Sequence, residues 1–163
     1  MAERLLYGEA EGVSRFDIRD ALPSDMSALR DVFRRSSLSS HGDPMNLLAH
    51  PDALELSDLA VTEGRTRTAV ADGGIVGFAA LLSAGDTAEI EDLFVDPEWM
   101  RRGIGRALVL DLIAIARSRG ARRVEVTANE HALAFYERVG FAAGHETETR
   151  FGPAPRMHLE VMP

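Results

Sequence analysis

The 163-residue sequence contains no cysteine, which removes disulfides, thiolate metal sites and every cysteine-nucleophile mechanism. It also contains no lysine, since all 18 basic residues are arginine. Chemistry that needs a lysine Schiff base or a phosphate-loop lysine is excluded, and the phosphate-loop NTPases with it. Positive charge is in deficit, with 26 acidic residues and a formal net charge of −8; a field of that sign opposes a polyanion, so nucleic acid is not expected as a partner. Long hydrophobic runs are missing too. The longest, Ala107 to Ala116, is broken by Asp111 and falls short of the ~20 residues that cross a bilayer, so no membrane partner is expected. Met1-Ala2-Glu3-Arg4 leads into an acidic, glycine-containing stretch without an apolar segment or small-residue cleavage site, which reads as no secretory signal and a cytoplasmic location.

What is present suits one folded core: 45% hydrophobic and 27% charged residues in 163 positions. Residues 1–14 lack periodicity and are expected to form a flexible lead-in, with 15–163 as a single domain. Phe16-Asp17-Ile18-Arg19 alternates like a half-buried strand. Pro23-Ser24-Asp25 then carries helix-start chemistry, and the spacing of Met26, Leu29, Val32 and Phe33 predicts an amphipathic helix to about Ser36. The stretch from Ser36 through Pro44 reads as loop, and a weaker helical segment is expected within Asp52 to Leu59. Strands at Thr66 to Ala71 and Ile75 to Leu82 are joined by Asp72-Gly73-Gly74, a hairpin turn. A turn at Gly85-Asp86 leads to a third strand, Thr87 to Val95, ended by Asp96-Pro97. Gly103 to Arg119 is a long helix, after which Val124 to Ala128 should lie parallel to the third strand. A second helix, Glu130 to Val139, stops at Gly140, and strands near Ala142 to Phe151 and Met157 to Val161 flank a Gly152-Pro153-Ala154-Pro155 turn. The order is α+β with one βαβ crossover.

Two segments carry chemistry. In Leu93-Phe94-Val95-Asp96-Pro97-Glu98-Trp99-Met100-Arg101-Arg102-Gly103-Ile104-Gly105-Arg106-Ala107-Leu108, a strand and turn run into Gly-x-Gly at a helix start. Unpaired N–H groups and the positive helix end then converge on one point, which suits a pyrophosphate, and Arg101, Arg102 and Arg106 add local positive charge. A lone Gly-x-Gly is equally a plain structural turn. Leu108 stands where a dinucleotide fingerprint has its third glycine, which disfavours a Rossmann site. The second segment is Asn129-Glu130-His131-Ala132-Leu133-Ala134-Phe135-Tyr136-Glu137-Arg138-Val139-Gly140-Phe141.

Together, in this order and spacing, the two segments resemble the Gcn5-related N-acetyltransferase (GNAT) superfamily, in particular its small bacterial-type members, in which an acyl-CoA delivers its acyl group to an amine. The resemblance covers roughly Phe16 to Val161. It implies an α/β/α-type α+β fold: a mixed, mostly antiparallel sheet of six to seven strands, with a central βαβ crossover and a splayed parallel strand pair. It implies acetyl-CoA as cosubstrate, with no metal. The family's pyrophosphate loop falls on Met100-Arg101-Arg102-Gly103-Ile104-Gly105, with Met100 departing from the usual Gln or Arg. Leu93, Phe94 and Val95 would offer backbone groups to the pantetheine arm, and Asn129 and Ala132 would lie beside it. Tyr136 would protonate the leaving thiolate.

The reaction needs a base and an acid, because an alkyl ammonium with pKa near 10 must lose a proton and a thiolate must gain one. Glu89 and Glu91 share one face of the third strand by period two, with Asp92 opposite; Glu89, which matches the glutamate base of the family's histone-acetylating branch, ranks first. An N–H near Val95 is placed to stabilise the oxyanion. Each residue has a plainer reading: Tyr136 as a packed helix tyrosine beside Phe135 and Phe141, the acidic residues as the solvated side of a strand, Trp99 as a lid on the helix start, and Arg117, Arg119, Arg122 and Arg123 as a solvated helix end. The five histidines are not clustered as metal ligands.

Two classes of function fit: an acetyl-CoA-dependent N-acetyltransferase, or a non-catalytic module of the same fold that binds CoA or a small ligand as a sensor. Tyr136 and the Gly103/Gly105 pair favour catalysis. The acceptor is expected to be a small-molecule or peptide amine. Glu146 and Glu148, with Glu89, Glu91 and the net charge, favour a small cationic amine. A homodimer is compatible with the family.

Overall fold

The computed structural model describes residues 6–7, 15–39, 55–150 and 152–161. Strand β2, Phe16–Asp20, buries Phe16 and Ile18 in the expected alternation. Ahead of it, β1 (Leu6–Tyr7) pairs antiparallel with Phe16 and Asp17, so strand pairing begins inside the stretch expected to be a lead-in. A two-residue strand is too short to show a period. A 3-10 turn at Pro23–Asp25, fastened by the Leu22 N–H to Asp25 Oδ2 (2.7 Å), opens helix α1, Met26–Ser37. Met26, Leu29, Val32 and Phe33 are buried, as their spacing predicts.

Within the described part of the segment expected to hold a weak helix, residues 55–59, only Leu59 is helical. Helix α2 is the single turn Leu59–Thr62, begun where the Leu59 N–H donates to Ser57 Oγ (3.2 Å). Residues 52–54 of the expected segment, like the loop beyond Ser39, lie outside the described residues.

Strands β3 (Thr66–Ala71) and β4 (Gly74–Ala84) form the expected hairpin, with Asp72 at φ 51° and Gly73 at φ 77°. Two left-handed residues give the turn a twist that matches the strands. Next come β5 (Thr87–Val95), helix α3 (Ile104–Ser118), β6 (Arg123–Thr127), a 3-10 turn at Glu130–Ala132, helix α4 (Leu133–Val139), β7 (Ala142–Thr149) and β8 (Gly152–Glu160). The final turn is not where its glycine and prolines pointed, for Gly152 to Pro155 are the first residues of β8 and pair with β7. The Pro155 carbonyl accepts the Ala128 N–H (3.0 Å) just past the last β6–β8 pair, Thr127 with Arg156. A proline nitrogen, with no hydrogen to donate, is tolerated where the neighbouring strand stops.

The strand order is β1-β2-β3-β4-β5-β6-β8-β7. The pairs β1–β2, β2–β3, β3–β4, β6–β8 and β7–β8 are antiparallel, whereas β5 and β6 run parallel over Thr87–Arg123 to Ile90–Val126 while β5 itself continues to Val95. By its contacts the chain divides into two compact units, Met1–Ala80 with Asp92–Val109, and Leu81–Glu91 with Leu110–Pro163. The first has a core of Met26, Leu29, Val32, Phe33, Val61 and Phe78, and Phe94 stacks edge-on to Phe33 with ring centroids 4.9 Å apart. In it, Gly77 admits the start of α3: a Cβ there would lie 3.1 Å from both Ile104 Cγ2 and the Phe94 carbonyl oxygen. The second buries Ala88, Ile90, Val124, Val126 and Met157, the alternate residues of β5, β6 and β8. Among the described residues no helix is long and apolar enough to cross a membrane.

Candidate active site

In the first unit the loop between β5 and α3 is shaped by its backbone. Asp96 is buried; its N–H donates to the Val76 carbonyl (2.8 Å), and its carbonyl accepts the Trp99 N–H (2.8 Å). Its carboxylate accepts the Glu98 N–H through Oδ1 (3.1 Å) and pairs through Oδ2 with Arg35 Nη2 of α1 (2.8 Å). One side chain thus caps the turn Pro97–Trp99 and ties it to a helix distant in sequence. Sequence reasoning took Asp96 only as the end of a strand and assigned no part to Arg35.

Met100 is extended, Arg101 is left-handed at φ 62°, and Gly103 is left-handed at φ 83°. The first helical hydrogen bond of α3 runs from the Ala107 N–H to the Gly103 carbonyl (3.0 Å), so the N–H groups of Ile104, Gly105 and Arg106 precede the helical ladder, as those of a first turn do. A Cβ on Gly103 would meet nothing within 4 Å. Its glycine answers the backbone angle and leaves open space beside it. Arg101, Arg102 and Arg106 are exposed around this helix end, and the Arg102 guanidinium lies 4.5 Å from the centroid of Trp99. Met100 adds no charge there. Leu93, Phe94 and Val95 immediately precede the loop and are half-buried.

The second unit holds Asn129, Ala132, Tyr136 and Glu89. Asn129 Oδ1 accepts the Ala132 N–H (2.9 Å), which caps the turn into α4. Tyr136 is buried, with Phe135 at 5.0 Å and Phe141 at 5.4 Å between ring centroids. Burial pushes its phenol pKa up, because an apolar setting disfavours the phenolate. Its hydroxyl makes no hydrogen bond among the described residues and is not one of the atoms sealed from solvent.

Glu89 Oε1 accepts from Arg156 Nη1 at 2.7 Å; the same nitrogen donates to Thr127 Oγ1 (2.9 Å), and Nη2 donates to Glu125 Oε2 (2.7 Å). These contacts raise the pKa of Arg156, Glu89 most of all. Glu91 is exposed and Asp92 half-buried. Arg156, Glu125 and Thr127 escaped the sequence reading, although the polar alternation of Arg123, Glu125, Thr127 and of Arg156, His158, Glu160 was there to mark one face of two strands.

The structure thus places a glycine-turned helix start in one unit and, in the other, a buried tyrosine and a glutamate held by an arginine. A model of the acetyltransferase (GNAT) family matches residues 26–141, and the chain belongs to that family. It is 36% identical over 135 residues to the glucosamine 6-phosphate N-acetyltransferase of Trypanosoma brucei brucei, covering 73% of this chain and 91% of that protein. To the N-alpha-acetyltransferase RimI of Mycobacterium tuberculosis it is 38% identical over 96 residues, 56% of this chain and 60% of the other. Its fold is similar to that of the PaiA N-acetyltransferase of Thermoplasma acidophilum, solved in complex with coenzyme A, with a TM-score of 0.74 and 19% identity over 90% of this chain and 99% of that one. The protein is an acetyl-CoA-dependent N-acetyltransferase, and its acceptor is an amine.

Proposed function

We propose that this enzyme acetylates a small primary amine by direct attack on acetyl-CoA, with Glu89 as base, Glu91 as its nearest rival, and Tyr136 as acid. The observation that carries the reading is Tyr136, a buried phenol whose hydroxyl spends no hydrogen bond within the described chain and is not sealed from solvent. The ammonium of the acceptor gives one proton to the glutamate, the amine nitrogen forms a bond to the acetyl carbon and sheds its second proton to solvent, and the C–S bond breaks. The thiolate takes the phenolic proton, and solvent returns one to Tyr136. Residues 15–163 act as one catalytic domain in this reading. The loop Met100 to Arg106 holds the pyrophosphate through the N–H groups of Ile104, Gly105 and Arg106, with arginine charge around them. Backbone groups of Leu93, Phe94 and Val95, with Asn129 and Ala132, attend the pantetheine arm.

For the acceptor, the net charge of −8 and the exposed Glu146 and Glu148 favour a cationic small molecule. A second reading, an amino-sugar phosphate, is favoured by the relative that acetylates glucosamine 6-phosphate and is 91% covered by this chain. Thiol release from acetyl-CoA with a panel of polyamines, glucosamine, glucosamine 6-phosphate and peptide N-termini tests both. Turnover with polyamines that weakens as salt rises supports the cationic reading, and preference for the sugar phosphate over glucosamine supports the second. CoA binding with no turnover on any amine would instead favour a non-catalytic sensor.

A further inference from the structure

We propose that Arg156 is a positioning residue for the transfer: its guanidinium fork grips one oxygen of Glu89 and leaves the other to receive the acceptor's proton. The inference rests on Glu89 being the base. It begins with strand register. Thr127 pairs with Arg156, Glu125 with His158 and Arg123 with Glu160, while Glu89 pairs with Glu125 across the parallel strands. Residues directly opposite share a face. Arg156 therefore reaches from β8 over β6 to β5, and one planar fork holds carboxylates from two strands at 2.7 Å each. A guanidinium suits this task because its donors are fixed in one plane, whereas an ammonium is a single flexible point.

The geometry is asymmetric at Glu89. Oε1 is taken by Arg156, and Oε2 has no partner among the described residues, on a side chain that is 40% exposed. A carboxylate held by one oxygen and open at the other has a fixed direction in which to accept a proton. The charged groups around it are Glu125 and Arg123 on β6, Arg156, His158 and Glu160 on β8, and Glu91 on its own strand. His145 and Glu146 of β7 flank the bulge beside Arg156, and residues 81–84 of β4 carry no charge. Arg123 Nη1 also lies 3.6 Å from Glu125 Oε1, so Glu125 is shared between two guanidiniums, while Arg156 is the one that holds Glu89.

The test is the pH dependence of kcat/KM in purified full-length variants, with thermal melts alongside. Arg156→Gln removes the attraction, so its acid limb should move to higher pH by roughly half to one unit, the range expected for a partly exposed ion pair. Glu125→Gln removes the neighbouring carboxylate that shares Arg156, so its limb should move to lower pH. Arg156→Lys keeps the charge without the fork; its limb should stay near the native position while kcat falls about threefold to tenfold. A side chain that only braced the strands would not move the limb in opposite directions. Unmoved or same-direction limbs, with Glu89→Gln still abolishing the native limb, would overturn the role of Arg156 and leave Glu89 as base. Native rate and limb in Glu89→Gln would overturn both. If Arg156→Gln does not fold, the other two variants decide: a lowered limb in Glu125→Gln supports the proposal and an unmoved one refutes it.

Discussion

The loop from Asp96 to Arg106 and the polar face around Glu89 are built on opposite plans. The loop is a backbone device, with two left-handed residues, a capped turn and a helix start whose first N–H groups precede the helical ladder. The face is a side-chain device: four residues from three strands meet through one guanidinium. A backbone device is encoded in consecutive residues, so its glycines and arginines stand together in the sequence. A side-chain device is spread over 67 positions between Glu89 and Arg156, and only strand register brings its parts together. The first is set by the dihedral angles of Arg101 and Gly103, the second by the side-chain donors of Arg156.

The largest expected effect belongs to neither plan but to the buried Tyr136 of α4. Tyr136→Phe should lower kcat about tenfold to a thousandfold with acetyl-CoA affinity little changed, in keeping with the ~10² to 10⁴ of general acid catalysis; steady-state kinetics with isothermal titration separates the two, and a fully active variant removes Tyr136 from the mechanism. The same substitution has a pH signature. Because burial raises the phenol's pKa in the folded state, the folded protein retains a proton that the unfolded chain releases above about pH 10. Stability should fall as pH rises past that point, and Tyr136→Phe should flatten the alkaline side of a plot of Tm against pH.

The two glycines beside the loop sharpen the contrast at a smaller scale. Gly77→Ala meets atoms at 3.1 Å and should destabilise by about 1 to 3 kcal/mol through overpacking. Gly103→Ala meets nothing but must hold a left-handed angle, costing about 1 to 2 kcal/mol. Of the two, Gly103→Ala should lose more of the thermal stabilisation conferred by acetyl-CoA, and equal losses would place the cosubstrate elsewhere. Asp96→Ala removes a turn cap worth about 1 kcal/mol, whereas Asp96→Asn retains the acceptor and loses only the charge paired with the half-exposed Arg35. Urea unfolding should rank native above Asn above Ala. The smallest effect is long-range: Glu146→Gln with Glu148→Gln should lower kcat/KM for a cationic acceptor by about twofold to threefold at low salt and hardly at all at high salt. A salt-independent loss would mean direct contact in place of steering.

From sequence alone came the elements whose cause is local. The period of Met26, Leu29, Val32 and Phe33 put a helix where α1 lies, Asp72-Gly73 marked the hairpin, and Gly103 and Gly140 marked a helix start and a helix stop. The family's motifs were readable for the same reason, since a phosphate loop and a capped helix are runs of neighbouring residues. Other features needed the folded chain. Leu6–Tyr7 became a strand only by pairing with β2, and Pro153 and Pro155 are accommodated within a strand only because β6 ends beside them. Asp96 acquired its second partner from α1, and Glu89 its arginine from β8. A helix or a turn is decided by the dihedral preferences and spacing of a few adjacent residues, which a sequence displays directly. The partner of a carboxylate is decided by which strands lie side by side and in what register, and that is settled by burying one apolar face along the whole sheet.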